Sequence, residues 1–193
     1  MIRILLPLAA ASLFTATSVS PGASTPIQPV APHPVPAILS HSNAPALDDA
    51  TIVAIFDAAN TADIETGDLA AKKGSTKEVR DMGHMFATAH RAVRQKGRDL
   101  AKKLGITPTP PANDNSAAMQ AKVMANLRSK SGPAFDRAYL QHEVDFHQAV
   151  IKAVTTTLLP AIQNPELKKF VEGVAPAFQA HLQKAQKLLS EQK

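Results

Sequence analysis

At 193 residues, with a formal charge of +5 and no cysteine, the chain has room for one domain plus an appendage. The missing cysteines exclude a disulfide framework, a zinc finger and thiol catalysis. Lysines and arginines are scattered as singles and pairs, such as Lys72-Lys73 and Lys168-Lys169, with no basic block interleaved with aromatics, which argues against nucleic acid as a partner.

Apolar residues make up 45% of the chain but aromatics only 4%, and there is no Trp. Alanine and other small residues carry the difference, which favours closely packed helices over a β-sandwich.

Met1 to about Ser20 reads as a secretory signal peptide. Arg3 supplies the positive start, Ile4 to Phe14 an apolar run, and Ala16-Thr17-Ser18-Val19-Ser20 the small residues of a cleavage site. The run is shorter than the ~20 residues a spanning helix needs, and Pro7 interrupts it, so no transmembrane span is expected after cleavage. No Cys follows it, which rules out lipoprotein processing.

Residues 21–46 hold seven prolines: Pro21, Pro26, Pro29, Pro32, Pro34, Pro36 and Pro45. Each removes a backbone donor and fixes φ, so this stretch reads as a disordered, extended linker between the export signal and a domain over residues 47–190.

The first helix starts near Asp48-Asp49, whose carboxylates suit an N-cap and the positive end of the helix dipole. Ile52, Ile55, Phe56, Ala59, Ala62, Thr66, Leu69 and Ala70 recur at three- and four-residue steps as its buried face. Gly74 ends it as a C-terminal cap. Ser75-Thr76-Lys77-Glu78 then reads as a capping box opening the second helix. The face of that helix is Val79, Met82, Gly83, Phe86, Ala89, Val93, Gly97, Leu100 and Leu104, and Gly105 stops it. So tight a turn makes the two helices antiparallel.

Thr107 to Ser116 is a crossing loop, and a short helix follows from about Ala117 to Lys130. Pro133 opens a third long helix running to about Leu159, closed by Pro160. Asn164-Pro165-Glu166 caps the last, to about Leu189, with Pro176 expected to kink it. The expected fold is an all-α up-down bundle of four long helices and one short one.

At about 100° per residue, five polar side chains project into the apolar arcs. They are Asp63 on the first helix, His90 on the second, Glu143 and His147 on the third long helix, and His181 on the last. Glu65 sits at an edge and His84 points away. At about 1.5 Å of rise per residue, all five reach the middle of the bundle. A buried carboxylate or imidazole left unpaired costs several kcal/mol, so the five must satisfy one another, hold water or hold an ion.

Carboxylate–histidine metal sites are built in such interiors, and this donor set suits a divalent zinc, iron or manganese ion. The alternative from the same residues is a metal-free polar network that fixes helix register. The di-iron pattern with Glu-x-x-His on two helices is absent. His142-Glu143-x-x-x-His147 is not the zinc-protease motif, no Gly-x-Ser-x-Gly setting exists for a hydrolase, and no glycine loop exists for phosphate.

Several stretches resemble the exported bacterial family known as domain of unknown function 4142. They are Ala62-Asp63-Ile64-Glu65-Thr66-Gly67-Asp68-Leu69-Ala70, His90, Phe135-Asp136-Arg137-Ala138-Tyr139-Leu140 with His147, and Pro176 with His181-Leu182. The resemblance covers about Ile52 to Leu189. It implies a ferritin-like bundle in the cell envelope, periplasmic or associated with the outer membrane, with no established reaction. The family usually has Glu at Asp63, and often Asp where this chain has Ala89 and Phe146; Glu143 stands at a position usually apolar there.

Three functions follow as expectations. The first is a non-enzymatic envelope protein binding a divalent ion through Asp63, His90, Glu143, His147 and His181. The second is a metal-free module offering its surface to an envelope protein partner. The third is a ferritin-like metal-dependent oxidase.

Overall fold

The computed structural model describes residues 47–192; the expected signal peptide (1–20) and Pro-rich linker (21–46) lie outside the described residues. Asp48 and Asp49, adjacent in sequence, tie down two different helix starts. Asp48 caps α1 (Asp49–Lys73) by accepting the Thr51 amide at 2.8 Å. Asp49 turns to the far end of the chain and accepts the amides of Gln163 and Asn164, each at 2.9 Å.

α1 ends at Gly74, whose amide donates to the Ala70 carbonyl. Gly74 has φ −53°, so a left-handed backbone is not the reason for glycine here. Space is: a Cβ would lie 2.9 Å from both the Ala70 carbonyl oxygen and Val79 Cγ1. The expected capping box is rearranged. Thr76, not Ser75, caps α2 (Lys77–Lys103), accepting the Val79 amide. Asp136 of a later helix replaces Glu78 as the acid of the turn. Its carboxylate accepts the Ser75 and Thr76 amides at 2.8 and 3.0 Å and the Ser75 hydroxyl at 2.6 Å.

Gly105, at φ +67°, stops α2 as expected. The loop after it returns beside the start of α1, where the Thr109 amide donates to the Ala50 carbonyl. α3 (Ser116–Arg128) then runs back along α1, with Gln120 on the Ala62 carbonyl and Lys73 on the Arg128 carbonyl. α4 (Gly132–Ala153) descends from that end, and α6 (Pro165–Ser190) climbs back, capped by Asn164 on the amides of Glu166 and Leu167. Counting α3, the five helices alternate in direction. The four long ones therefore run up, down, down, up with a single crossover, the connectivity of ferritin-like bundles.

The third long helix departs from the expected unbroken run to Leu159. α4 gives way at Val154–Leu158 to a π-helical turn, followed by the short α5 (Leu159–Ala161). Pro160 has no amide to return to the preceding turn, so the ladder must slip. Thr155 and Thr156 take up carbonyls nearby through their hydroxyls, on Ile151 and Lys152. Pro160 is thus absorbed, and the chain turns away at Ile162, where the backbone becomes extended. Pro176 is absorbed too: α6 continues through it, with the ring on the exposed face.

The core is split in two. One apolar cluster holds Ala70, Met82, Phe86, Phe135, Tyr139 and Leu182 with their neighbours. The other holds Ile52, Phe56, Val154, Leu158, Val171 and Phe178. Between them lies a layer of polar side chains.

Candidate metal centre

α1 and α2 approach until their backbones touch. A Cβ on Gly67 would sit 2.7 Å from the Gly83 carbonyl oxygen, and one on Gly83 would sit 2.6 Å from that of Gly67. Only glycine pairs allow this. One turn before Gly67 comes Asp63 and two turns after Gly83 comes His90, so in antiparallel helices the contact sets the two within about one turn of each other in depth. His90 Nδ1 lies 3.4 Å from Asp63 Oδ2.

All five residues expected to face inward do so. Asp63, His90, Glu143, His147 and His181 are buried and meet at the polar layer, supplied by α1, α2, α4 and α6. Glu65 and His84 are exposed as expected, and Glu65 accepts from Gln120 instead. The three imidazoles form a near-equilateral triangle, with ring centroids 5.1, 5.4 and 5.6 Å apart. Phe86 stacks on His181 at 4.2 Å, and Phe178 lies parallel to His90.

Two overlapping triads have donor atoms within 4.8 Å of one another: His90, His147 and His181, and Asp63, Glu143 and His147. Three donors bonded to one ion at about 2.1 Å lie about 3.4–3.6 Å apart, and donors within 4.8 Å of one another can be drawn to that spacing by side-chain movement.

Three residues at the site were not singled out from the sequence. Asn60 donates to the Phe56 carbonyl at 2.8 Å and presents its Oδ1 to His90 Nδ1 at 2.9 Å. Thr66 donates to Glu143 Oε1 at 3.0 Å while also facing the carbonyls behind it. Tyr139, fully buried, turns its hydroxyl toward Glu143. Thr66 was legible as an inward position, and Asn60 lies one turn before Asp63, so helical phase could have found it.

The electrostatics are those of a layer in which burial disfavours charge. Burial is the main cause throughout. It pushes Asp63 well above the usual carboxylate range, with the Glu143 charge adding to the effect. Glu143 rises to about 7 despite hydrogen bonding that favours its anion. Burial pulls the imidazoles down, His90 to about 3 with help from its His neighbours, His147 and His181 to about 4. At neutral pH the three imidazoles are free bases, the form that binds metal.

The hydrogen bonding is incomplete at one place. Four buried polar atoms among the described residues have no partner: Asp63 Oδ1, Tyr139 Oη, Glu143 Oε2 and His147 Nε2. All four belong to this layer. Buried polar groups are otherwise nearly always paired, so the orphans mark a centre with capacity left to bind.

These features define an all-α bundle with an internal histidine–carboxylate layer. The chain belongs to the family described as a domain of unknown function, DUF4142, whose model matches residues 36–188. No curated protein and no solved structure matches it.

Proposed function

We propose that this is an exported, non-enzymatic envelope protein whose bundle interior binds one divalent transition-metal ion. The observation that carries the reading is the convergence of the four orphaned polar atoms, one of them an imidazole nitrogen, on a triangle of neutral histidines. His90, His147 and His181 would hold the ion, with Asp63 and Glu143 as the carboxylates within reach. A donor set rich in imidazole and free of thiolate favours zinc or iron, and manganese if the carboxylates dominate. Such an ion brings Lewis acidity or redox capacity to the layer, while the chain contributes burial and fixed donor directions.

Export rests on Arg3, the apolar run Ile4 to Phe14 and the small residues that follow. On the same reading residues 21–46, with their seven prolines, link the export signal to a domain spanning residues 47–190, in the periplasm or at the outer membrane. No helix among the described residues is long and apolar enough to cross a membrane. Metal analysis of the protein purified from the envelope fraction tests both halves at once. About one zinc, iron or manganese per chain, on a polypeptide shortened by some 20 residues, is the expected result; a full-length chain in the cytoplasm or a chain without metal contradicts the corresponding half.

The metal-free network remains the competing reading, because His90 Nε2 and His181 Nδ1 already meet at 3.2 Å and satisfy each other. It leaves His147 Nε2 without a partner.

A further inference from the structure

Resting on the metal reading, we infer that Asn60 is a positioning residue for the ion, and that His181 is the one adjustable ligand, exchanging a hydrogen bond to His90 for the metal bond. The argument follows the protons. The Asn60 amide nitrogen is committed to the Phe56 carbonyl at 2.8 Å, which leaves its oxygen facing His90 Nδ1 at 2.9 Å. An amide oxygen only accepts, so Nδ1 carries the His90 proton and Nε2 carries the lone pair. His147 is fixed in the same way by its own helix: Nδ1 lies 3.0 Å from the Glu143 carbonyl, and the lone pair sits on the unpartnered Nε2.

The third histidine differs. His90 Nε2 is an acceptor, and the atom facing it at 3.2 Å is His181 Nδ1. That nitrogen must then carry a proton in the metal-free protein. To become a ligand through Nδ1, His181 has to hold its proton on Nε2 instead. Among the described residues no hydrogen bond commits that Nε2, and His181 is 9% exposed against 2% for His90 and 1% for His147. It is the ring nearest solvent, where a proton can be exchanged. Two imidazoles are thus held in metal-ready form by acceptors behind them, as ligand histidines commonly are. The third trades a hydrogen bond for a metal bond. The assigned ligand atoms are Nε2 of His90, Nε2 of His147 and Nδ1 of His181.

The test uses the full-length chain, stripped of metal, with Zn2+ and Co2+ as probes. Long-range 1H–15N NMR of the imidazoles should show Nδ1–H on all three histidines without metal. With one equivalent of Zn2+ it should show His181 alone moved to Nε2–H. Asn60→Ala should weaken Co2+ binding by about 10- to 100-fold, and Asn60→Asp, which restores an acceptor, should recover most of it. Asn60→Asp is read alone if the alanine variant does not fold, and a tenfold loss there contradicts the inference. Wild-type affinity in Asn60→Ala, or Nε2–H on His90 in the metal-free protein, overturns the inference and leaves the metal reading standing. The Nδ1–H pattern without any Zn2+ or Co2+ uptake overturns the metal reading and leaves the Asn60 lock as a purely structural device.

Discussion

Glu143 is fully buried, and burial holds its carboxyl up at about 7. A carboxyl whose folded value is raised contributes stability that is fully present below its unfolded value and is lost as pH rises through the folded one. Glu143→Gln removes that loss. The metal-free variant should therefore gain on the wild type by roughly 3 kcal/mol between pH 4.5 and pH 8, as read by urea denaturation at both pH values. The histidines act in the opposite direction. Their folded values are depressed to about 3 or 4, so the unfolded chain takes up protons that the folded chain refuses as pH falls below about 6.5. Between about 4.5 and 6.5 the three imidazoles that take up protons on the unfolded side outnumber the raised carboxyls of Glu143 and Asp63 on the folded side, so unfolding takes up protons on balance. Stability should fall gently across that window and steeply below it, which a pH series of thermal melts checks. A flat profile from pH 6.5 down to 4 would mean the imidazoles are not held neutral.

At the scale of the helices, two contacts place the site. The first is the Gly67–Gly83 crossing, where an added methyl runs into backbone rather than into a side chain that can swing aside. Gly83→Ala should cost about 1–3 kcal/mol through overpacking and should also move His90 relative to Asp63, so Co2+ affinity falls together with the denaturation midpoint. The second is the Asp136 clasp on Ser75 and Thr76. Asp136→Ala strips two amides and a hydroxyl of their buried acceptor, at a cost of about 3 kcal/mol. Since Asp136 lies well above the polar layer, a variant kept folded should bind Co2+ as the wild type does. Both contacts show where sequence reading runs out. Helical phase at Asp63, His90, Glu143, His147 and His181 was readable because each helix carries its own apolar arc. The capping of one helix by Asp136 of another was not, because 61 residues separate Ser75 from Asp136 and only the fold brings them together. The π-helical turn at Val154–Leu158 escaped for a similar reason: Pro160 signals a broken ladder but not whether the helix stops or slips.

For the molecule as a whole, the sequence led to a bundle and to a polar middle, and the structure shows why the middle needs attention. Two apolar clusters would pack continuously if the five residues between them were aliphatic. Instead the bundle holds a layer whose desolvation works against folding, with four polar atoms unsatisfied. On the proposed reading, a bound ion would offset that deficit and tie four helices together. Ligand that binds only the folded state at about 100 times its Kd adds about 2.7 kcal/mol, or some 6–10 °C in Tm for a domain of this size. The most direct measurement is a titration of the metal-free protein with Co2+, followed by its visible absorption and by Tm. The account predicts saturation at one ion per chain, a d–d spectrum of nitrogen-rich four- or five-coordinate cobalt, and an upward shift of Tm. Loss of all three in His90→Ala/His147→Ala, with the helical far-UV signal retained, places the ion at the layer. An unchanged spectrum and an unchanged Tm in the wild type at millimolar Co2+ would contradict it.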